Sequence, residues 1–263
     1  FKNGFYGMLA YNFSESQDLI TAGSIAFSSW RDNRTVNGNN MADLAFSDFD
    51  QRHRIIGAVS YRLEYLNNLA TTFSLFMQSS NQGRYSFVVN GDVNGDGQAV
   101  NDLMYIPNSG DELLFDDIKN SAGEVTATAE EQRQAFMRFV DNNEYLSENK
   151  GGYAERNGVI LPWLTTFDLS IQQEFFVTVK DRRHRIQLRA DFYNFGNLLN
   201  NKWGVGDIPT GNAPIRFVRY DADANMPVYT FAPVSGAYRT EALTKDISLN
   251  SVWQAQLGIR YIF

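Results

Sequence analysis

Polar and apolar residues alternate with a period of two through the last eleven residues, WQAQLGIRYIF. Trp253, Ala255, Leu257, Ile259, Tyr261 and Phe263 fall on one face of an extended chain, and Gln254, Gln256, Gly258, Arg260 and Ile262 fall on the other. Ten steps of roughly 3.3 Å, tilted by about 45°, rise roughly 23 Å, close to the apolar band of about 25 Å on a transmembrane barrel. A soluble strand of five or six residues would be about half as long. The pattern recurs in RIIGAVSYRLEY, where Ile55, Val59, Tyr61, Leu63 and Tyr65 oppose Arg54, Ser60, Arg62 and Glu64. It recurs again in TTFSLFMQSS, TFDLSIQQEFFV, IQLRADFYN and GFYGMLAYNF. Six long strands are predicted, near 4–14, 51–65, 70–80, 163–178, 185–196 and 251–263.

The connections between these strands alternate in length. The links 15–50, 81–162 and 197–250 are long, whereas 66–69 (LNNL) and 179–184 (within VKDRRH) are short. Short periplasmic turns and long external loops are the signature of outer-membrane barrels. The predicted fold is therefore all-β: an antiparallel transmembrane β-barrel segment with long external loops. Alternation alone fits a soluble barrel with its aromatics inside; strand length and loop alternation favour the membrane arrangement. Within the second long loop, TAEEQRQAFMRFV starts with a capping box, Thr128 to Glu131, and Ala135, Phe136, Phe139 and Val140 share one helical face. A hairpin is predicted from 215–220 and 228–231 in the third.

Six strands are too few to close a membrane barrel, for which the minimum is eight. Either the loop hairpin completes a small eight-stranded barrel, or the chain is the last part of a larger one. The opening FKNGFYG leads directly into a strand without a leader, so the second arrangement is expected.

Composition narrows the functional classes. The 263 residues carry a net charge of −7, which argues against a nucleic-acid partner. Aromatic residues make up 14% of the chain, far from the composition of a disordered acidic segment. Cysteine is absent, which excludes disulfides and thiolate zinc sites, and no apolar run is long enough for a transmembrane helix.

Four stretches in order, NGDVNGDGQAVNDLMYIP (90–107), YAERNGVILPW (153–163), DFYNFGNLLNNKWG (191–204) and the terminal WQAQLGIRYIF, resemble the C-terminal part of TonB-dependent outer-membrane receptors, nearest the Oar-like branch of Bacteroidetes-type bacteria. The resemblance covers essentially the whole chain. It implies a 22-stranded barrel with an N-terminal plug, of which this chain, residues 1–263, holds about the last six strands and neither the plug nor the segment that contacts TonB. It further implies transport of a bulky solute, with outer-membrane lipid, the rest of the barrel, the plug and TonB as partners. Leu257, Ile259, Tyr261 and the terminal Phe263 resemble the signal read by the barrel-assembly machinery. An alternative from a different class is a small complete barrel with a structural or adhesion role. A soluble calcium-dependent β-protein is a third.

One loop carries candidate metal chemistry. Asp92, Asn94 and Asp96, followed by Gly97, match positions 1, 3, 5 and 6 of an EF-hand calcium loop, and Gln98 at position 7 needs only its carbonyl. Position 12 is Leu103, which has no ligand atom, and Asp102 stands in its place. The expectation is a calcium loop made of Asp92, Asn94, Asp96, Gln98 and Asp102; a plain Asx-rich turn is the alternative. No other cofactor is expected, and no catalytic motif is present, so an enzyme is not expected. His53 and His184 lie among arginines at strand ends and read as strand-end contacts. The arginines nearby (Arg52, Arg54, Arg182, Arg183 and Arg185) read as lipopolysaccharide or headgroup contacts, or as solvated caps.

Overall fold

A computed structural model describes residues 3–180 and 182–263. The opening two residues of FKNGFYG and residue 181 of the second short turn lie outside the described residues. Six strands form one sheet: β1 (Phe5–Phe13), β2 (His53–Tyr65), β3 (Leu69–Asn81), β4 (Trp163–Val179), β5 (Arg182–Tyr193) and β6 (Gln254–Ile262). Their order in space is their order in the chain, and every pairing is antiparallel. The sheet is therefore a meander, and it does not close on itself. Among the described residues, β1 pairs only with β2 and β6 only with β5, which leaves both outer edges without a partner.

Register turns the alternation in each strand into two continuous surfaces. One row across the sheet runs Phe5, Tyr61, Phe73, Ile171, Ala190, Leu257. The adjacent row, on the opposite face, runs Tyr6, Ser60, Ser74, Ser170, Asp191, Gln256. The apolar row stays largely uncovered by protein: Leu9, Leu257 and Ile259 are each at least 75% exposed.

Two turns join strands at one end of the sheet. Leu66 and Asn67 both take left-handed backbone (φ 52° and 57°), as a tight hairpin twisted like its strands requires. The second turn is shorter than its charge suggests. KDRRHR reads as a turn, yet β5 begins at Arg182 and pairs back to Val179, so the arginines belong to the strand. β5 also stops before 196, because Asn194 enters the left-handed region (φ 49°) and starts the short helix Phe195–Leu199.

The packed core lies outside the sheet. Phe87, Met104, Ile106, Phe136, Phe139, Ile215 and Phe231 are buried together, and all come from the long connections. These connections fold into a cap at the opposite end from the tight turns. Helix α1 (Ala26–Arg31) lies in the first connection, and α2 (Ala129–Asn142) and α3 (Glu144–Glu148) lie in the second. The capping box of α2 forms as expected: the Glu131 N–H donates to Thr128 Oγ1 (3.2 Å), and the Thr128 N–H donates to the Glu131 carboxylate (2.8 Å). The 215–220/228–231 hairpin also forms, as Arg216–Asp221 and Met226–Thr230. It joins Leu114–Phe115 in a separate three-stranded sheet and does not extend the main one. Gln132, fully buried on α2, stitches two connections together: its amide donates to the Asp116 carbonyl (2.8 Å) and its oxygen accepts the Phe231 N–H (2.9 Å).

Candidate functional site

The polar face of the sheet and the cap above it form the surface available to a solute. Small residues in mid-sheet keep this face open, and Ser60 donates to Ser74 across β2 and β3 at 2.8 Å. Nearer the tight turns, Arg62 on β2 reaches past β3 to Glu174 on β4 at 2.8 Å. The β3 residue paired to Glu174 is Ala70, fully buried, and its single methyl leaves room for the guanidinium to cross. Gln187 on β5 donates to the same Glu174 carboxylate at 3.1 Å. A buried carboxylate without such partners would be costly.

At the opposite end, the connections close over the polar face. Gln78, Ser80 and Thr166 on that face meet Asp48, Asp246 and Ser251 of the connections around an open cleft of about 520 Å³. The Ser248 backbone N–H and hydroxyl hold the Asp246 carboxyl below the usual carboxylate range. The cleft offers amides, hydroxyls and carboxylates; it suits hydrogen bonding to a polar solute.

Buried ion pairs anchor the first connection to the cap. The Arg84 Nε–H donates to Asp50 at 2.5 Å with both side chains at most 2% exposed, and the guanidinium lies 3.6 Å from the centre of the Phe46 ring. Burial pushes the Asp50 carboxyl up, but hydrogen bonds from Arg84 and the Ser16 N–H, with the charges of Arg84 and Arg52, more than offset this and leave it below its ordinary value. Arg156, 5% exposed, pairs with Asp18 at 2.8 Å. None of these anchors has a sequence signature, because each joins residues 34 to 138 positions apart.

The histidines sit in aromatic rings at the two ends of the apolar face. His53 Nδ1 lies 2.8 Å from the Tyr11 hydroxyl, and its ring packs on Phe13 and Trp163. His184 Nδ1 lies 2.8 Å from the Tyr261 hydroxyl. Aromatic belts at the edges of an apolar band are the interfacial feature of membrane barrels. Among the described residues, Arg52 pairs with Glu15, Arg54 with Gln78 and Arg185 with Glu174, and Arg183 lies over the Phe176 ring. Leu257, Ile259, Tyr261 and Phe263 line up on the outermost strand and its end, each more than half exposed.

The five residues of the expected calcium loop lie in one compact turn of the cap. Asp92 accepts from the N–H groups of Gly95, Asp96 and Gly97 (2.8, 3.1 and 2.9 Å). Asn94 Oδ1 accepts the Asp96 N–H, and Asp96 Oδ1 accepts the Gln98 N–H, both at 2.9 Å. Asp102 folds back over the loop, where its Oδ2 accepts the Val93 N–H at 2.5 Å and the Asn94 N–H at 3.3 Å. As the loop stands, no three acidic or histidine side chains among the described residues converge on one point.

No curated protein and no solved structure matches the chain. A family model for an outer membrane beta barrel domain matches residues 1–202, a span that takes in five of the six strands, the first two long connections and both tight turns. With its apolar face, its aromatic belts and its polar face under a cap, this chain belongs to the outer membrane beta barrel domain family and resides in the bacterial outer membrane.

Proposed function

We propose that the chain is a wall segment of a TonB-dependent outer-membrane transporter of a bulky, polar solute. The single observation that carries this reading is the open six-stranded meander, in which neither outer strand has a neighbouring strand on its outer edge among the described residues. An exposed strand edge cannot persist in hydrocarbon, because its N–H and C=O groups have no water to bond. More strands therefore complete the wall, and the predicted hairpin is not among them, since it pairs within the cap. The four motifs that resemble the Oar-like branch supply the name of the larger barrel, with its plug and its TonB-contacting segment outside residues 1–263. On this reading the polar face is lumenal, and the cleft at Gln78, Thr166 and Asp246 meets the solute first. Leu257, Ile259, Tyr261 and Phe263 present the terminal strand to the barrel-assembly machinery.

The test is the mass of the intact polypeptide that contains this chain, extracted from outer membranes and detected with an antibody against the 81–162 loop. A mass near 100 kDa is expected. A band near 30 kDa that still shows heat-modifiable mobility would overturn the reading and favour a small complete barrel. A protein that stays monodisperse without detergent would remove both.

A further inference from the structure

We propose that the 92–102 loop binds calcium and that the bound ion staples the first external connection to the rest of the cap. The ligands are carboxylate oxygens of Asp92, Asp96 and Asp102, the Asn94 side-chain oxygen and the Gln98 carbonyl. Two observations beyond the loop motif carry this. Asp102 is 3% exposed, and its Oδ1 has no hydrogen-bond partner. Its neighbour Asn101 is 2% exposed; its amide donates to Asp96 Oδ2 at 3.0 Å, while its own Oδ1 is also unpartnered. Most buried oxygens in folded proteins have a donor, so a buried carboxylate oxygen without one calls for a partner. The stretch from Asn90 to Met104 contains no lysine or arginine to neutralise three carboxylates.

The backbone is already in place. Gly97, at the position where calcium loops turn sharply, has φ 87°, and Gly95 has φ 77°. Binding draws the three carboxylates together. One oxygen each of Asp92 and Asp96 exchanges its loop N–H bonds for the ion, and Asp102 contributes its free Oδ1. An all-oxygen set on an adjustable loop suits calcium, whereas magnesium demands near-ideal octahedral geometry and gives up its water reluctantly.

The staple follows from what interleaves with the ligands. The Thr35 N–H donates to the Asn101 carbonyl at 3.0 Å, and the Leu103 N–H donates to the Thr35 carbonyl at 2.9 Å, so the two residues flanking Asp102 are tied to the first connection. The Asn101 amide also reaches Asn39 at 3.3 Å. Fixing the loop therefore fixes residues 35–39.

The experiment uses the complete membrane protein in detergent, stripped with EDTA and titrated with calcium chloride, with magnesium chloride in parallel. Calorimetry, melting temperature and the rate of proteolysis within 15–50 are read together. One calcium should bind with Kd on the order of 10⁻⁴–10⁻³ M, as in extracellular modules. It should raise the melting temperature and slow cleavage, and magnesium should do neither. Asp102→Asn and Asp96→Asn should each weaken binding at least tenfold and abolish protection, whereas Asp111→Asn, in an exposed part of the cap, should change nothing. The wild-type titration stands even if a variant fails to fold. Absence of binding heat and of any calcium-dependent change in the wild type would overturn the proposal. So would an equal response to magnesium, or full calcium protection in folded Asp102→Asn.

Discussion

Asp50→Asn is the sharpest perturbation of the joint between the first connection and the rest of the cap. The native carboxylate takes the Arg84 Nε–H at 2.5 Å and the Ser16 N–H at 2.8 Å, and its side chain is fully buried. The variant keeps the shape and one acceptor oxygen but removes the charge. Arg84 remains, 2% exposed, with the Phe46 face and the Asn157 carbonyl (3.1 Å) as its remaining partners. Its Nη2 has no partner even in the native protein. Removing one member of a buried pair costs about 3–5 kcal/mol, chiefly because the other charge is stranded. The cleft at Gln51 and Gln82 lies alongside and admits water, so the lower end applies. At about 3 kcal/mol, local opening becomes roughly a hundredfold more frequent. Hydrogen exchange by mass spectrometry should show this at 14–18 and 45–50, with amides in β3 and β4 unchanged.

The pH dependence has a definite sign. The folded Asp50 carboxyl lies below its ordinary value of 3.8, so its contribution is complete above that value and is lost as pH falls through the folded one. Exchange at these amides, corrected for intrinsic rate, should be flat from neutral pH down to about 5 and should rise below about 4. An apolar double replacement, Asp50→Leu with Arg84→Met, should recover much of the protection, since well-packed apolar pairs often match buried ion pairs. Protection within twofold of wild type in Asp50→Asn would refute the assignment of this pair as the anchor.

Two further substitutions separate wall from cap. Leu257→Arg places a charge on the apolar face in mid-strand, where it should cost about 2–4 kcal/mol in a lipid-reconstituted barrel by denaturant unfolding. A change within about 0.5 kcal/mol, the usual effect at a water-exposed site, would contradict a lipid-facing position. Phe139→Ala removes a fully buried ring that packs on Phe87, Phe136 and Phe231, and it should cost the cap about 3–5 kcal/mol. Cleavage should rise within 82–162 while the heat-modifiable mobility of the wall is kept; loss of both would show a single cooperative unit.

The wall was legible in the sequence because each of its strands repeats a period of two over nine or more residues, and tight turns then set the register of β2 with β3 and of β4 with β5. Helix α2 was legible from Thr128, Glu131 and one apolar stripe. The cap was not, for a physical reason. Its strands are mostly two or three residues long, too short for any period, and its core gathers Phe87, Phe136, Ile215 and Phe231 from distant connections. Charge also misled at Arg182–Arg185. A strand edge facing water tolerates arginine on both faces, so the hairpin extends beyond where composition suggested. The residues of the candidate calcium loop were visible as a motif, whereas the burial of Asp102 depends on how the first connection folds against the loop.

The distribution of cores explains how the molecule divides its tasks. A wall between lipid and an aqueous lumen has no interior, so its side chains cannot pack against one another across a core. Its stability comes from ladder hydrogen bonds and from the solvent on each face. Apolar burial, the dominant folding term in water, is available only above the membrane, and the long connections use it there. Residues 203–250 lie beyond the family match, yet Ile215, Phe231 and Ala242 enter the same core as Phe87 and Phe139. The third connection is thus part of one cap with the second. Joints between cap and wall must work at a wet lumenal mouth, where apolar contacts would be solvated. They are accordingly polar: the Asn81 amide on the Leu161 carbonyl (3.4 Å), and Gln82 bridging the Pro162 carbonyl (3.1 Å) and the Asp207 N–H (3.1 Å). A cap with its own core, hinged on a few polar joints, can vary its outer surface without disturbing the strand register beneath it.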